Sequence, residues 1–236
     1  MKNFLILISS VLLLVCSPNS QPFINLNPIQ FQTAIEKEEG IVLDVRTPQE
    51  VSSGAIENSS TINFYDQDFE RKISKIQKDK TVYVYCKSGG RSSQAAKLLL
   101  KSGQAKVVNL SGGIIAWQAT QLPLIRASKK EDKSIHELSI SDFDTMLNQN
   151  NLVLVDFHTL WCMPCRKISP IIDELKEEYV SSAQVLRIDI DNSELLAESF
   201  EIKAVPTLIL FKDSKEIWRY TGLISKEELT QLLDSH

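Results

Sequence analysis

The feature that most constrains this chain is the charged stretch Ala127-Ser128-Lys129-Lys130-Glu131-Asp132-Lys133-Ser134, which has short strand-like and helix-like segments alternating on each side of it. Strands that alternate with helices form mainly parallel sheets covered by those helices. Before the break, β-branched runs at residues 41–45, 81–85 and 106–110 predict strands, and residues 30–39 and 92–101 carry a helical pattern. Asn27-Pro28 reads as a helix start, a capping side chain followed by proline at the first helical position, and Gly40 and Gly103 read as helix stops. After the break, strands are predicted at 152–157, 185–190, 207–211 and 216–220, and helices around 162–178, 193–200 and 226–233. Ser225 with Glu228 three residues on is a capping box. The 236 residues thus divide into two α/β domains, 23–126 and 135–236, joined by a charged linker at 127–134.

Composition removes several classes of function. With 43% apolar and 24% charged residues the chain is neither disordered, collagen-like nor multi-spanning. A net charge of -4, and no lysine-arginine stripe interleaved with aromatics, argue against a nucleic-acid partner. Four cysteines are too few for a disulfide scaffold, and His136, His158 and His236 make no metal-ligand cluster, so no metal and no cofactor is expected. Residues 23–127 hold 13 basic and 10 acidic groups, while residues 134–236 hold 9 and 18. The two halves should attract, in a transient and salt-sensitive way.

The N-terminus reads as a signal peptide over residues 1–20: Lys2, then an apolar run from Phe4 to Val15, shorter than the ~20 residues a bilayer span requires. Leu13-Leu14-Val15-Cys16 resembles a bacterial lipobox, in which the cysteine is lipidated and becomes the mature N-terminus, although Val15 replaces the usual small residue. Plain secretion and an uncleaved anchor are the alternatives. Lipid on Cys16 would hold the protein to a membrane in the cell envelope.

In the first half, Tyr83-Val84-Tyr85-Cys86-Lys87-Ser88-Gly89-Gly90-Arg91-Ser92-Ser93 puts a cysteine at the end of a buried strand, then a glycine-bearing loop, then a helix. Such a turn aims backbone N–H groups and a helix dipole at one point, where an anion belongs. A thiolate of Cys86 would be stabilised there, with Lys87 and Arg91 acting in the same direction; the plain alternative is a small buried hydrophobe. Here the chain resembles the rhodanese family of sulfurtransferases, through Val42-Leu43-Asp44-Val45-Arg46-Thr47-Pro48-Gln49-Glu50, the loop from Cys86 to Arg91, and Asn109-Leu110-Ser111-Gly112-Gly113-Ile114-Ile115-Ala116-Trp117. The resemblance implies that Cys86 takes sulfane sulfur from a small donor, carries it as a persulfide held by the amides of Lys87, Ser88, Gly89, Gly90 and Arg91, and passes it to an acceptor. It gives Asp44 and Arg46 a supporting role in the loop wall. The family's Gly-His-Ile-Pro stretch reads Gly54-Ala55-Ile56-Glu57, which changes the neighbouring surface.

In the second half, Asp156-Phe157-His158-Thr159-Leu160-Trp161-Cys162-Met163-Pro164-Cys165 places one cysteine at the start of a helix and another a turn further in. The outer sulfur is acidified by the helix terminus and the inner one can resolve a mixed disulfide. The only other reading of the pair, half a zinc site, lacks a second pair. This half resembles thioredoxin, which implies a mixed central sheet, a cis-proline turn at Val205-Pro206-Thr207 that receives substrate strands, and a buried carboxylate, Asp156, that handles protons for Cys165, with Arg187 nearby; a purely structural acid is the alternative. Met163 stands where the family usually has glycine, and His158 where it often has an aromatic.

Together these readings predict an envelope sulfurtransferase coupled to a dithiol reductase, its partners a sulfane-sulfur donor and protein thiols or disulfides. The alternatives are a dithiol oxidoreductase with an idle docking domain, and a non-enzymatic scaffold.

Overall fold

The computed structural model describes residues 23–125 and 138–236. Cys16 with the signal-peptide segment, and the linker at 127–134, lie outside the described residues. The first domain runs β1 (Ile24–Leu26), α1 (Pro28–Lys37), β2 (Gly40–Asp44), α2 (Pro48–Val51), β3 (Ser59–Thr61), α3 (Phe69–Ser74), β4 (Thr81–Tyr85), α4 (Gly90–Lys101), β5 (Val107–Leu110) and α5 (Gly113–Ala119). Its five strands form a sheet in the order β1-β5-β4-β2-β3, and every pairing is parallel.

A parallel sheet is buried on both faces, so its strands carry apolar side chains in both phases of the pleat. Along β4 and just past it, Val82, Val84 and Cys86 enter one core with Leu43, Ile62, Ile73 and Leu99, while Tyr83 and Tyr85 enter the other with Phe31, Leu110 and Trp117. Cys86 is thus in phase with the packing valines. The start of α1 is as the sequence indicates, with Asn27 accepting from the Gln30 N–H and the Gln30 side chain returning the bond. Gly103 does follow α4, at φ +93°. Gly40 instead opens β2: a Cβ there would lie 2.6 Å from the Tyr83 ring, so its lack of a side chain is needed for packing.

The second domain comprises α6 (Ile140–Gln149), β6 (Leu152–His158), α7 (Met163–Glu178), β7 (Gln184–Asp189), α8 (Glu194–Ser199), β8 (Thr207–Lys212), β9 (Lys215–Thr221) and α9 (Lys226–Asp234). The sheet order is β7-β6-β8-β9, parallel between β6 and β7 and antiparallel elsewhere, which is the mixed sheet expected. On one face Val153, Val155 and Phe157 meet Phe143, Ile209 and Phe211; on the other Leu152 and Leu154 meet Ile168, Ile172 and Leu175 of α7. Each fully buried aliphatic side chain in these layers contributes about 1.5 to 3 kcal/mol. Asp156 alternates onto the α7 face.

Candidate active sites

The loop after β4 closes around the Cys86 sulfur. Gly89, the N-cap of α4, takes φ +99°, a left-handed conformation that glycine adopts without strain, and its N–H donates to Cys86 Sγ at 3.1 Å. The Ser92 hydroxyl donates to the same sulfur at 3.4 Å. The start of α5 braces the loop from outside, with the Ile114 N–H on the Cys86 carbonyl (2.9 Å) and the Ile115 N–H on the Lys87 carbonyl (3.1 Å). That approach requires Gly113, because a Cβ there would collide with the Cys86 carbonyl oxygen and the Lys87 backbone. Cys86 is 1% exposed, and burial by itself pushes its thiol up. Hydrogen bonds from the Ser92 hydroxyl and from the Ser92, Ser88 and Gly89 backbone outweigh that burial and hold the thiol below the ordinary cysteine value.

Two charged residues of this loop are placed differently from the sequence reading. Arg91 makes two 2.7 Å bonds to the Glu50 carboxylate, whose pKa it brings down to about 2, lies over the Tyr65 ring at 5.5 Å, and also interacts with the charge of a Cys86 thiolate. Lys87 and Ser88 are exposed. Asp44 and Arg46 form a buried ion pair at 2.6 Å, and the Arg46 guanidinium also donates to the Glu50 and Gly54 carbonyls, tying the end of β2 to the segment that follows α2.

In the second domain Cys162 is the N-cap of α7, and its Sγ accepts the Cys165 N–H at 3.1 Å. The two sulfurs are joined in a disulfide, with Cys162 3% and Cys165 1% exposed. Asp156 is fully buried and accepts from Arg187 Nε at 3.3 Å, and His158 is fully buried at the end of the same strand. The Val205-Pro206 bond is cis.

The near-complete burial of Cys162 goes with a feature that charge totals do not reveal. On one side of it the Thr61 N–H donates to the Trp161 carbonyl (3.3 Å); on the other the Met163 N–H donates to Ser60 Oγ (2.9 Å), and Arg166 Nη2 donates to the Ser59 carbonyl (2.8 Å). The Val205 N–H donates to the Lys75 carbonyl at 3.1 Å, and Lys75 Nζ donates to the Ile202 carbonyl at 2.6 Å. Trp161 packs against the cores of both domains, and its Nε1 donates to Asp191, which also pairs with Arg71. The domains therefore meet through backbone groups, the side chains of Ser60, Lys75 and Arg166 and an indole, and among the described residues the ion pairs between them join Arg71 to Asp191 and Glu194. The dithiol faces the β3 edge rather than the Cys86 loop. Two strand spacings, about 10 Å, lie between β3 and β4, and Cys162 is outward of that edge.

Ser92, Ser60, Lys75 and Arg166 went unrecognised in the sequence. A hydroxyl one place after Arg91, in the first turn of α4, was the available sign for Ser92. The departure at Gly54-Ala55-Ile56-Glu57 marked the surface that turns out to precede the docking edge.

A family model for thioredoxin matches residues 134–235, and one for the rhodanese-like domain matches residues 27–120. Thioredoxins of Staphylococcus epidermidis and Staphylococcus aureus are 37% and 36% identical over 103 residues, covering 44% of this chain and 98% of each relative. A solved thioredoxin from Plasmodium falciparum is 28% identical over 43% of this chain and 99% of that one, with a TM-score of 0.39.

Proposed function

Because the chain belongs to the thioredoxin family and carries a rhodanese-like domain ahead of its thioredoxin domain, a fusion of sulfurtransferase with thiol-disulfide oxidoreductase, we propose that Cys86 carries sulfane sulfur and that the Cys162/Cys165 dithiol reduces or relays it. The Cys86 thiolate attacks the outer sulfur of a thiosulfate-like donor; the S–S bond of the donor breaks, sulfite leaves, and a persulfide remains on Cys86. The Cys162 thiolate then takes the outer sulfur, returning Cys86 to a thiol. Cys165 attacks Cys162, expels sulfide and closes the disulfide, so two thiols are oxidised and one sulfane sulfur is reduced. Asp156, buried beneath α7, is the proton acceptor for Cys165 in this scheme.

The observation that carries this reading is the Cys86 sulfur held by the Gly89 N–H and the Ser92 hydroxyl, with its thiol below the ordinary value. A site of that kind favours an ionised nucleophile and then an anionic outer sulfur. Transfer to Cys162 requires the second domain to leave the docked arrangement, since the dithiol there faces β3. The test is mass spectrometry of the reduced protein after thiosulfate, read cysteine by cysteine. The Cys86 peptide gains one sulfur, and sulfide appears only when Cys162 and Cys165 are both present and reduced; a Cys86 peptide that never gains sulfur from any sulfane donor overturns the reading. The same proposal puts the protein in the cell envelope, held by lipid on Cys16. Membrane fractionation of Cys16→Ser checks this, with loss of membrane retention expected.

A further inference from the structure

We infer that the first domain is an intramolecular cap on the Cys162–Cys165 pair, its β3 edge and Lys75 occupying the surface where a protein partner of the dithiol must bind. Thiol-disulfide exchange needs a thiolate to reach a sulfur in line with the S–S bond, and so needs that sulfur uncovered. Cys162 caps the start of α7 and is only 3% exposed with the first domain docked beside it. Three backbone groups around it are filled from the first domain: the Trp161 carbonyl by the Thr61 N–H, the Met163 N–H by Ser60 Oγ, and the Val205 N–H by the Lys75 carbonyl. These groups are already bonded, so an extended segment of another protein could use them only after the first domain gives them up. Gln77 extends the contact, donating to the Val205 carbonyl at 3.5 Å.

The lock sits at the rim. Arg71, 31% exposed, reaches Asp191 and Glu194 at 3.0 Å each, whereas the Cys86 cradle is built wholly within its own domain. Uncapping therefore opens the dithiol and leaves the hydrogen bonds to Cys86 in place. The inference rests on thiol-disulfide exchange by the second domain and is independent of sulfur carriage on Cys86.

The test follows reduction of the Cys162–Cys165 disulfide in the full-length oxidised protein by dithiothreitol, which is itself oxidised to its cyclic disulfide, with the freed thiols trapped and weighed. Arg71→Glu and Glu194→Arg lie in different domains and break the same rim contact. Arg71→Glu should speed reduction about fivefold, the scale set by losing two partly exposed ion pairs, and Glu194→Arg, which loses one of them and sets a like charge against Arg71, about two- to fivefold; each should speed amide exchange at Met163 and Val205. Combining them should recover part of the protection. Wild-type rates in both single variants, or a double variant as fast as the faster single, overturn the cap. Acceleration by Glu194→Arg, which leaves the first domain untouched, excludes unfolding of that domain as the cause. If the variants accelerate reduction while Cys86 never gains sulfur, the cap stands and the persulfide reading falls.

Discussion

Cys86 and Cys162 use one structural device for two chemistries. Each lies between a strand and a helix, and each sulfur accepts the backbone N–H of the third residue on, at 3.1 Å in both cases. What that third residue is decides the rest. At Cys86 it is Gly89, whose left-handed backbone folds the loop back so that the Ser92 hydroxyl also reaches the sulfur. At Cys162 it is a second cysteine, so the atom that would have completed a cradle becomes a redox partner. The helix terminus favours a thiolate in both; carriage or exchange follows from whether the turn supplies donors or a second sulfur. The sites also differ in what surrounds them: the donors to the Cys86 sulfur come from its own domain, whereas the backbone groups flanking Cys162 are bonded by the other domain.

The largest expected effects come from exchanging each sulfur for oxygen. Cys86→Ser should lose sulfur transfer by about a thousandfold or more, the usual scale for removing a nucleophile, while disulfide exchange by the second domain stays intact. Cys162→Ser should abolish disulfide exchange and sulfide release, while Cys86 still gains sulfur from the donor. Cys165→Ser should accumulate mixed disulfides with protein substrates that Cys162→Ser does not, as seen on non-reducing gels. Loss of disulfide exchange in Cys86→Ser would break the comparison by making the two turns one site.

A second way to sharpen it lies in the glycines behind Cys86. Gly113→Ala adds a Cβ at φ +60° against the Cys86 carbonyl and Lys87, with the Lys87 carbonyl oxygen 2.7 Å away. The left-handed penalty and the clash together should cost about 3 kcal/mol and lower the first domain's Tm by roughly 10 °C or more. Gly90→Ala, where a Cβ meets nothing within 4 Å, should instead be neutral or slightly stabilising. Thermal denaturation followed by circular dichroism separates the two; equal stability in both variants would mean that the loop is not braced by α5.

Much of this was legible in the sequence, for identifiable reasons. The β-branched run at 81–85 predicts β4 with Cys86 at its end, Asn27 caps α1 as the Asn27-Pro28 pair indicates, and Ser225 makes the bonds that its spacing to Glu228 predicts. The three-residue strands β1 and β3 were not legible, because three residues are too few to show a period; β3, Ser59-Ser60-Thr61, is defined by pairing with β2 and by the second domain beyond it. Arg91 senses the Cys86 thiolate, as its spacing indicates, but the group that holds its guanidinium has no sequence signal. Its spacing from Cys86 is local, whereas Glu50, which holds it, is 41 residues away. Charge totals predicted attraction between the halves but not the face used, since the contact is made largely by backbone groups that carry no sequence signature.

The smallest expected effects are shifts in the pH profile of cysteine alkylation, and they should move the two sites apart. Burial raises the Cys86 thiol and the Ser92 hydroxyl is first among the groups that lower it. Ser92→Ala should therefore move Cys86 alkylation to higher pH. Stability changes in step: the thiolate's contribution is present above the unfolded-state pKa and fades as pH falls through the lower folded one, so the variant should show a weaker dependence there. Glu50→Gln should act in the opposite direction. With its pKa at about 2, the Glu50 carboxylate stays ionised throughout the alkylation range and neutralises Arg91, which already senses the Cys86 thiolate. Removing that carboxylate charge leaves Arg91 to favour the thiolate, and at this partly exposed site the gain in alkylation rate near neutral pH should be about twofold. Neither change should move the profile of Cys162 in the reduced protein, whose N–H donor comes from its own helix. Measured peptide by peptide with iodoacetamide, shifts of the same sign in Ser92→Ala and Glu50→Gln would refute the role given to Arg91, and a Cys162 profile that followed Cys86 would show that the two turns titrate as one.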